Sequence, residues 1–310
     1  MGKGYLRTQL GLLKWNLTEV WPADLRVAKA ARLRQSWDKW LESLPPVDAS
    51  ASAGLDLEVH MLCGEKTSDM GMWSSWSLMR FIPQAMFYLH SDGTLSDRTI
   101  GRWQRILPRM VVVGLDEANA LVQSAWGGRF PHLKRWRERS LIAVQNIDYS
   151  LCGTRRYILS MDSDVLCFKP PHEIIAAVES SKSQIRWMHD SMYAYHVPED
   201  EFRKRYGDRL PLRVNGGFWV SERFSEPVFQ AMEQELAGWR GVWASDSWWM
   251  PQTLLAVACG VIGGKPLDSH RYMMGFGGHS NEYVARHYTG PKFFRPRFFT
   301  EGIRAALRGE

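Results

Sequence analysis

Four cysteines in 310 residues, Cys63, Cys152, Cys167 and Cys259, stand far apart and form no CxxC pair. That spacing excludes a thiolate-built zinc cage and offers no disulfide framework, so a reducing compartment is expected. No run reaches the roughly 18 consecutive apolar residues of a membrane span, and the opening MGKGYLRTQLGLLKWNLTEVW lacks the apolar core of a secretory leader. Without a leader, the Asn16-Leu17-Thr18 sequon reads as a chance match. Internal repeats and long low-complexity tracts are lacking too, which excludes solenoids and linker arrays. Charge of one sign is not dominant: 39 Lys and Arg against 33 Asp and Glu leave a net +6, spread along the chain. Anionic partners are favoured, and nucleic acid is not among those expected. The expected location is cytoplasmic, soluble or peripheral to the inner face of a membrane.

What the sequence does have is enough apolar matter for a sizeable core, 45% of its residues. Residues 24–44 carry Leu25, Ala28, Leu33, Trp37, Trp40, Leu41 and Leu44 near helical spacing, and Pro45-Pro46 ends the run. This predicts an amphipathic helix packed on the main domain, followed by a linker in PPVDASASAG. The chain divides into an N-terminal helical extension, 1–48, and a single domain, 49–310. From Leu57 onward, strands alternate with helices: strands at 57–62, 86–90, 109–114, 156–161 and 184–189, helices at 73–81, 96–107, 116–126, 131–145, 172–181 and 225–238. A further helix carries Gln252. Such alternation predicts an α/β fold with a mixed, mainly parallel sheet flanked by helices. The C-terminal HYTGPKFFRPRFFTEGIRAALRGE is expected to wrap across the domain without adding a sheet layer.

The stretch RYILSMDSDVLCFKPP places Asp162 and Asp164 one residue apart between two hydrophobic runs. Like charges that close repel, and burial strips their hydration, so a neutralising partner is required. A bound cation is the leading explanation. The position supports it, because ligands of α/β sheets bind beyond the carboxyl ends of the strands and this pair follows the strand 156–161 directly.

A hydrophobic strand followed by Asp162-Ser163-Asp164 resembles the metal-binding motif of nucleotide-sugar glycosyltransferases of the GT-A fold. The order of further stretches is similar to the glycogenin-like members of that group: MLCG closing the first strand, YLHSDGTLSD at 88–97, NGGF at 215–218, QTLLA at 252–256 and HYTGPK at 287–292. The resemblance implies a Rossmann-like GT-A domain, a UDP-sugar donor, and a hydroxyl acceptor on a glycan, a lipid-linked glycan or a protein. It further implies Asp164 and His287 as direct ligands of Mn²⁺, with Mg²⁺ second, and Asp162 on the metal or the ribose. Two carboxylates and an imidazole, completed by phosphate oxygens, suit those ions, whose charge stabilises a diphosphate leaving group. Cys63, Gly64, Asp92 and Ser163 are then expected near the nucleotide and Lys292 near the diphosphate. In the family pattern the lysine follows His-x-x-Gly one residue later than it does here.

Arg135 and Arg139 stand one helical turn apart, and Arg139 is the candidate for facing the phosphates. Asn215 and Gln252 are candidates at the transferred sugar. The family has Asp-Gln where this chain has Pro251-Gln252, and Asp246 is the acid nearest upstream, a candidate base or acceptor-orienting group. Among 15 tryptophans, most are expected in the core, with Trp219, Trp248 and Trp249 as candidates for stacking on sugar rings. The His-x-x-Gly resemblance favours retention of configuration, whereas a base at Asp246 would permit inversion.

Two other readings stand beside this one. LSMDSDVL also resembles the first motif of haloacid-dehalogenase-type phosphatases, in which Asp162 would be the nucleophile beside Mg²⁺. That family needs a later acidic pair, which is missing here, and 161 residues precede the motif. The second alternative is a non-catalytic carbohydrate-binding or membrane-surface scaffold of the same fold.

Overall fold

The computed structural model describes residues 21–48, 54–180, 182–238, 249–275, 279–290 and 294–309. Among them a seven-stranded sheet has the order β3-β2-β1-β4-β7-β6-β8, where β1 is Leu57–Cys63, β2 Met86–Ser91, β3 Val111–Val113, β4 Tyr157–Met161, β6 Ile185–His189, β7 Val214–Glu222 and β8 Gly264–Pro266. A second sheet joins β5, Val165–Cys167, to β10, Ala285–His287, and β9, Tyr272–Met274. Only β7 runs against its neighbours in the large sheet, pairing antiparallel with both β4 and β6. The α/β class and the mixed, mainly parallel sheet are thus as expected from the alternation of elements.

The side-chain period of two explains how β1 serves two cores. Leu57, Val59, Met61 and Cys63 enter the larger hydrophobic cluster, together with Tyr157, Leu159 and Met161 of β4. Ile158, on the opposite face of β4, belongs to the other cluster, against which Leu62 packs. Glu58 and His60 occupy that same opposite face of β1 and are almost wholly buried.

The first three strands step outward from β1, and the chain then returns to add β4 on the other side of β1. The order therefore reverses between β1 and β4, and their carboxyl ends open a crevice there. Asp162 follows β4 directly at that edge.

Several expectations require correction. NGGF, for which the alternation of elements predicts no strand, lies inside β7, where Val214 to Ser221 are all buried. The predicted helix 131–145 breaks at Ser140, extended at φ −140° and ψ 112°, into Pro131–Arg139 and a 3-10 turn at Leu141–Gln145. The helix expected at 73–81 begins at Ser68 and ends at Met79. It is buried on all sides, so no polar face marks its start. The C-terminal stretch does wrap across the domain, through helical turns at Arg295–Arg297, Phe298–Gly302 and Ile303–Arg308, but its leading residue, His287, belongs to a strand.

The N-terminal helix, Trp21–Leu41, packs on the main domain as expected. Ala30 and Leu41 join the larger core, and Trp37 donates its indole N–H to the carbonyl of Phe299 at 2.7 Å. Arg34 adds a pair with Asp69 at 2.6 Å. No helix among the described residues is long and apolar enough to cross a membrane.

Candidate metal centre

Two segments that are distant in sequence deliver three side chains to one point. Asp162 and Asp164 come from the turn joining β4 to β5, which is pinned from both sides. The Asp162 N–H donates to the carbonyl of Gly217 at 2.8 Å, and the Ser74 hydroxyl to the carbonyl of Ser163 at 2.7 Å. His287 arrives on β10, held antiparallel to β5 with His287 opposite Val165. The Tyr288 N–H donates to the carbonyl of Asp164 at 2.8 Å and fixes that register.

The resulting geometry is tight. His287 Nε2 lies 3.0 Å from Asp164 Oδ1 and 3.6 Å from Asp162 Oδ2. Among the described residues this is the cluster of three or more potential ligands whose atoms all lie within 4.8 Å of one another. Gly217 makes the approach feasible: a Cβ there would stand 2.3 Å from His287 Cε1 and 2.6 Å from Asp162 Oδ2. The requirement at this position is space rather than backbone conformation.

The tautomer of His287 follows from its far side. Asn215 Oδ1 accepts the N–H of Gly217 at 3.0 Å, and Asn215 Nδ2 donates to Asp190 Oδ2 at 3.2 Å, so the orientation of the amide is settled. His287 Nδ1, 3.0 Å from Asn215 Oδ1, must then be the donor. In the neutral ring, Nε2 consequently aims a lone pair at two carboxylates. Three electron-rich atoms facing one another need a positive species between them, a proton or a metal ion. Hard oxygens plus one imidazole, with no thiolate, fit Mn²⁺ or Mg²⁺.

The electrostatics agree. Burial works to raise the Asp164 carboxyl, but His287 and Arg295 outweigh it and hold it down at about 2. Burial works against the charged form of His287, yet Asp164 and then Asp162 lift it above the ordinary imidazole value. Asp162 goes the other way: burial raises it, the charge of Asp164 adds to this, and His287 and Gln145 oppose. Its side chain is 31% exposed, against 8% for Asp164, so it is the acid that faces the crevice.

Three participants carried no signal in the sequence. Gln145 donates to Asp162 Oδ1 at 2.6 Å from the end of the 3-10 turn, Asp190 holds Asn215, and Arg295 donates to Asp164 Oδ2 at 3.1 Å. Each is a single polar residue placed by tertiary structure, with no spacing pattern to announce it.

The other candidates are distributed around this point. Asn215 has all its polar capacity engaged, since Nδ2 also contacts Met274 Sδ at 2.9 Å, and it positions His287. Gln252 lies in the helix Met250–Ile262, against Gly216, and its buried Oε1 has no partner among the described residues. Cys63 and Gly64 end β1 beside Asp92. A Cβ on Gly64 would meet Asp92 Oδ2 at 1.8 Å. Asp92 Oδ1 itself accepts from the Thr94 N–H at 2.9 Å and hydroxyl at 2.6 Å, an Asx turn at the sheet edge. Burial pushes the Cys63 thiol up to about 12, which leaves it inert.

Arg139 closes its helix exposed, lining an open groove of about 570 Å³ with Leu115, Gln123, Lys134 and Leu141. The buried cation of that helix is Arg137, clamped on Asp148 by two bonds of 2.8 Å. Asp246, Trp248 and Lys292 lie outside the described residues. Trp219 is corrected to a core residue: it is 1% exposed and stacks on Phe224 at 5.4 Å, because its place on β7 points it away from the crevice. Trp249 is 51% exposed. No further acidic pair joins Asp162 and Asp164 among the described residues, so the arrangement gives the phosphatase reading no support.

The fold and the site together define an α/β protein with an Asp-Asp-His centre at the switch point of its sheet. No family model and no curated protein matches the sequence. Among solved structures, the chain is similar to the galactosyltransferase LgtC in complex with donor and acceptor sugar analogues, at 12% identity and a TM-score of 0.49, covering 81% of this chain and 95% of that one. It is also similar to mouse xyloside xylosyltransferase 1, at 13% identity and 0.48, covering 84% and 95%. A third likeness is to core-mannan synthase A of Aspergillus fumigatus in a Mn/GDP form, at 9% and 0.47, covering 83% and 87%. All three are glycosyltransferases.

Proposed function

We propose that the chain is a divalent-cation-dependent glycosyltransferase that moves a sugar from a UDP-sugar to a hydroxyl of a glycan, a lipid-linked glycan or a protein, with retention of configuration. The observation that carries this reading is the orientation of His287, whose Nε2 is directed by Asn215 at the carboxylates of Asp162 and Asp164 beside the switch point of the sheet. When bound, Mn²⁺ or Mg²⁺ supplies the positive charge that a departing nucleoside diphosphate requires. Asp164 and His287 hold it, and Asp162, steadied by Gln145, binds it or the ribose.

The turns at Cys63-Gly64 and Asp92, where β1 and β2 end, receive the nucleoside in this reading. Arg139 and Lys292 serve the phosphates. Gln252, whose buried Oε1 has no partner among the described residues, and Asp246 face the transferred sugar and the acceptor in this reading. The proposed setting is cytoplasmic, with membrane-peripheral contact where the acceptor is lipid-linked.

The test is a panel of nucleotide sugars incubated with the protein in Mn²⁺ or in EDTA, reading release of nucleoside diphosphate. Mn²⁺-dependent release that disappears in Asp164→Ala, with an unchanged circular-dichroism spectrum, is expected. Release indifferent to EDTA, or equal in the variant, would overturn the assignment.

A further inference from the structure

Arg295 stands eight residues after His287 and opens the short helix Arg295–Arg297. Its Nη2 donates to Asp164 Oδ2 at 3.1 Å, while His287 faces Asp164 Oδ1 at 3.0 Å. Both oxygens of the buried acid are therefore in use. The Nε–H of the same guanidinium is buried without an acceptor among the described residues, although the side chain as a whole is 40% exposed. A buried donor left unmade is unfavourable, and a guanidinium carries five donors in a planar fork shaped for carboxylate or phosphate.

A divalent ion coordinated by Asp164 would bring two positive charges beside this guanidinium. Coulomb repulsion would then oppose metal binding unless Arg295 left or an anion arrived. A diphosphate bound with the metal would resolve both problems at once, since its oxygens would accept from the fork, including the Nε–H that has no acceptor among the described residues.

We propose that Arg295 is a phosphate-binding residue that also guards the cation site: it neutralises Asp164 in the absence of ligand and turns to the diphosphate when metal and nucleotide bind together. This rests on the glycosyltransferase reading above. It makes metal and diphosphate mutually dependent ligands, each weak alone.

The experiment uses calorimetric titration of Mn²⁺ alone, and of inorganic pyrophosphate in buffer containing saturating Mn²⁺, into wild type, Arg295→Gln, Arg295→Lys and Asp164→Ala. Arg295→Gln is expected to bind Mn²⁺ alone about threefold to tenfold tighter, and pyrophosphate about tenfold or more weaker, the range of a lost charge-assisted bond. Arg295→Lys should keep the wild-type affinity for Mn²⁺ alone and lie between the two for pyrophosphate, because a point charge lacks the fork. Pyrophosphate binding unchanged in Arg295→Gln overturns the phosphate role, and unchanged Mn²⁺ affinity overturns the guarding role. In both of those cases, loss of Mn²⁺ binding in Asp164→Ala leaves the metal centre itself standing. If wild type binds Mn²⁺ neither alone nor together with pyrophosphate, the functional reading falls and this inference with it. Superimposable thermal melts separate these effects from misfolding.

Discussion

Two clusters of carboxylate and histidine, one within the large sheet and one where the turn after β4 meets the second sheet, have opposite electrostatic character. At the carboxyl edge, His287 faces two acids and its basicity is raised. Inside the sheet, His60 lies between Glu58, 3.4 Å from its Nε2, and His90, 2.9 Å from its Nδ1. Burial lowers His60 to about 4, with Glu58 only partly restoring it, and burial takes His90 well down as well. The difference lies in what the acids already have. Glu58 is saturated by the N–H groups of Thr154 and Arg155 at 2.8 and 2.9 Å and by Arg223, so it has little left for a proton on His60. Asp162 and Asp164 repel each other and lean on His287. The same residue types thus make an inert strut in one place and a cation seat in the other.

The comparison breaks most visibly at His287. His287→Ala should lower Mn²⁺-dependent transfer by about a thousandfold, the scale of losing one principal charge-stabilising group. A steady-state assay checks this, and turnover within tenfold of wild type would make the two clusters equivalent.

The next effect is in acid stability. His60 is neutral in the fold but ordinary when unfolded, so between pH 6.5 and about 4 the unfolded chain binds more protons. Stability should fall as pH drops through that window, by up to about 3 kcal/mol from His60 alone. Urea melts at a series of pH values measure it, and His60→Phe should flatten the slope. His287 predicts the reverse sign in metal-free protein. Its folded value is raised, so its contribution is complete below the ordinary imidazole range and is lost as pH rises through the folded value. Mn²⁺ should abolish that alkaline decline by replacing the proton.

The smallest effect sharpens the role of the amide. Asn215→Leu removes the acceptor for Nδ1–H while leaving all three ligands, and should weaken Mn²⁺ about tenfold to a hundredfold, as loss of a ligand-orienting bond does. The His60 acid slope should not change in that variant.

Much of this was legible in the sequence, for identifiable reasons. Strands β1, β2, β4 and β6 are apolar runs long enough to carry their own signal, and the acid pair was visible because two charges interrupt such a run. His287 was legible only through its family-like neighbours, since β10 is three residues long and has no period to read. β7 was missed because Asn215-Gly216-Gly217 has the composition of a turn. Its glycines serve clearance, for Gln252 on one and for His287 and Asp162 on the other, and only the assembled packing reveals that. Gln145 and Arg295 left no local trace, because their roles are set by which strand ends meet.

The clasp between Trp37 and the carbonyl of Phe299 has a consequence for biosynthesis. The acid turn at 162–164 can form early, but its histidine and its arginine are encoded more than 120 residues later. A ribosome must have passed residue 299 before the first helix can dock and the centre can close. Nascent fragments of this polypeptide, however well collapsed, would carry Asp164 without its histidine and arginine partners.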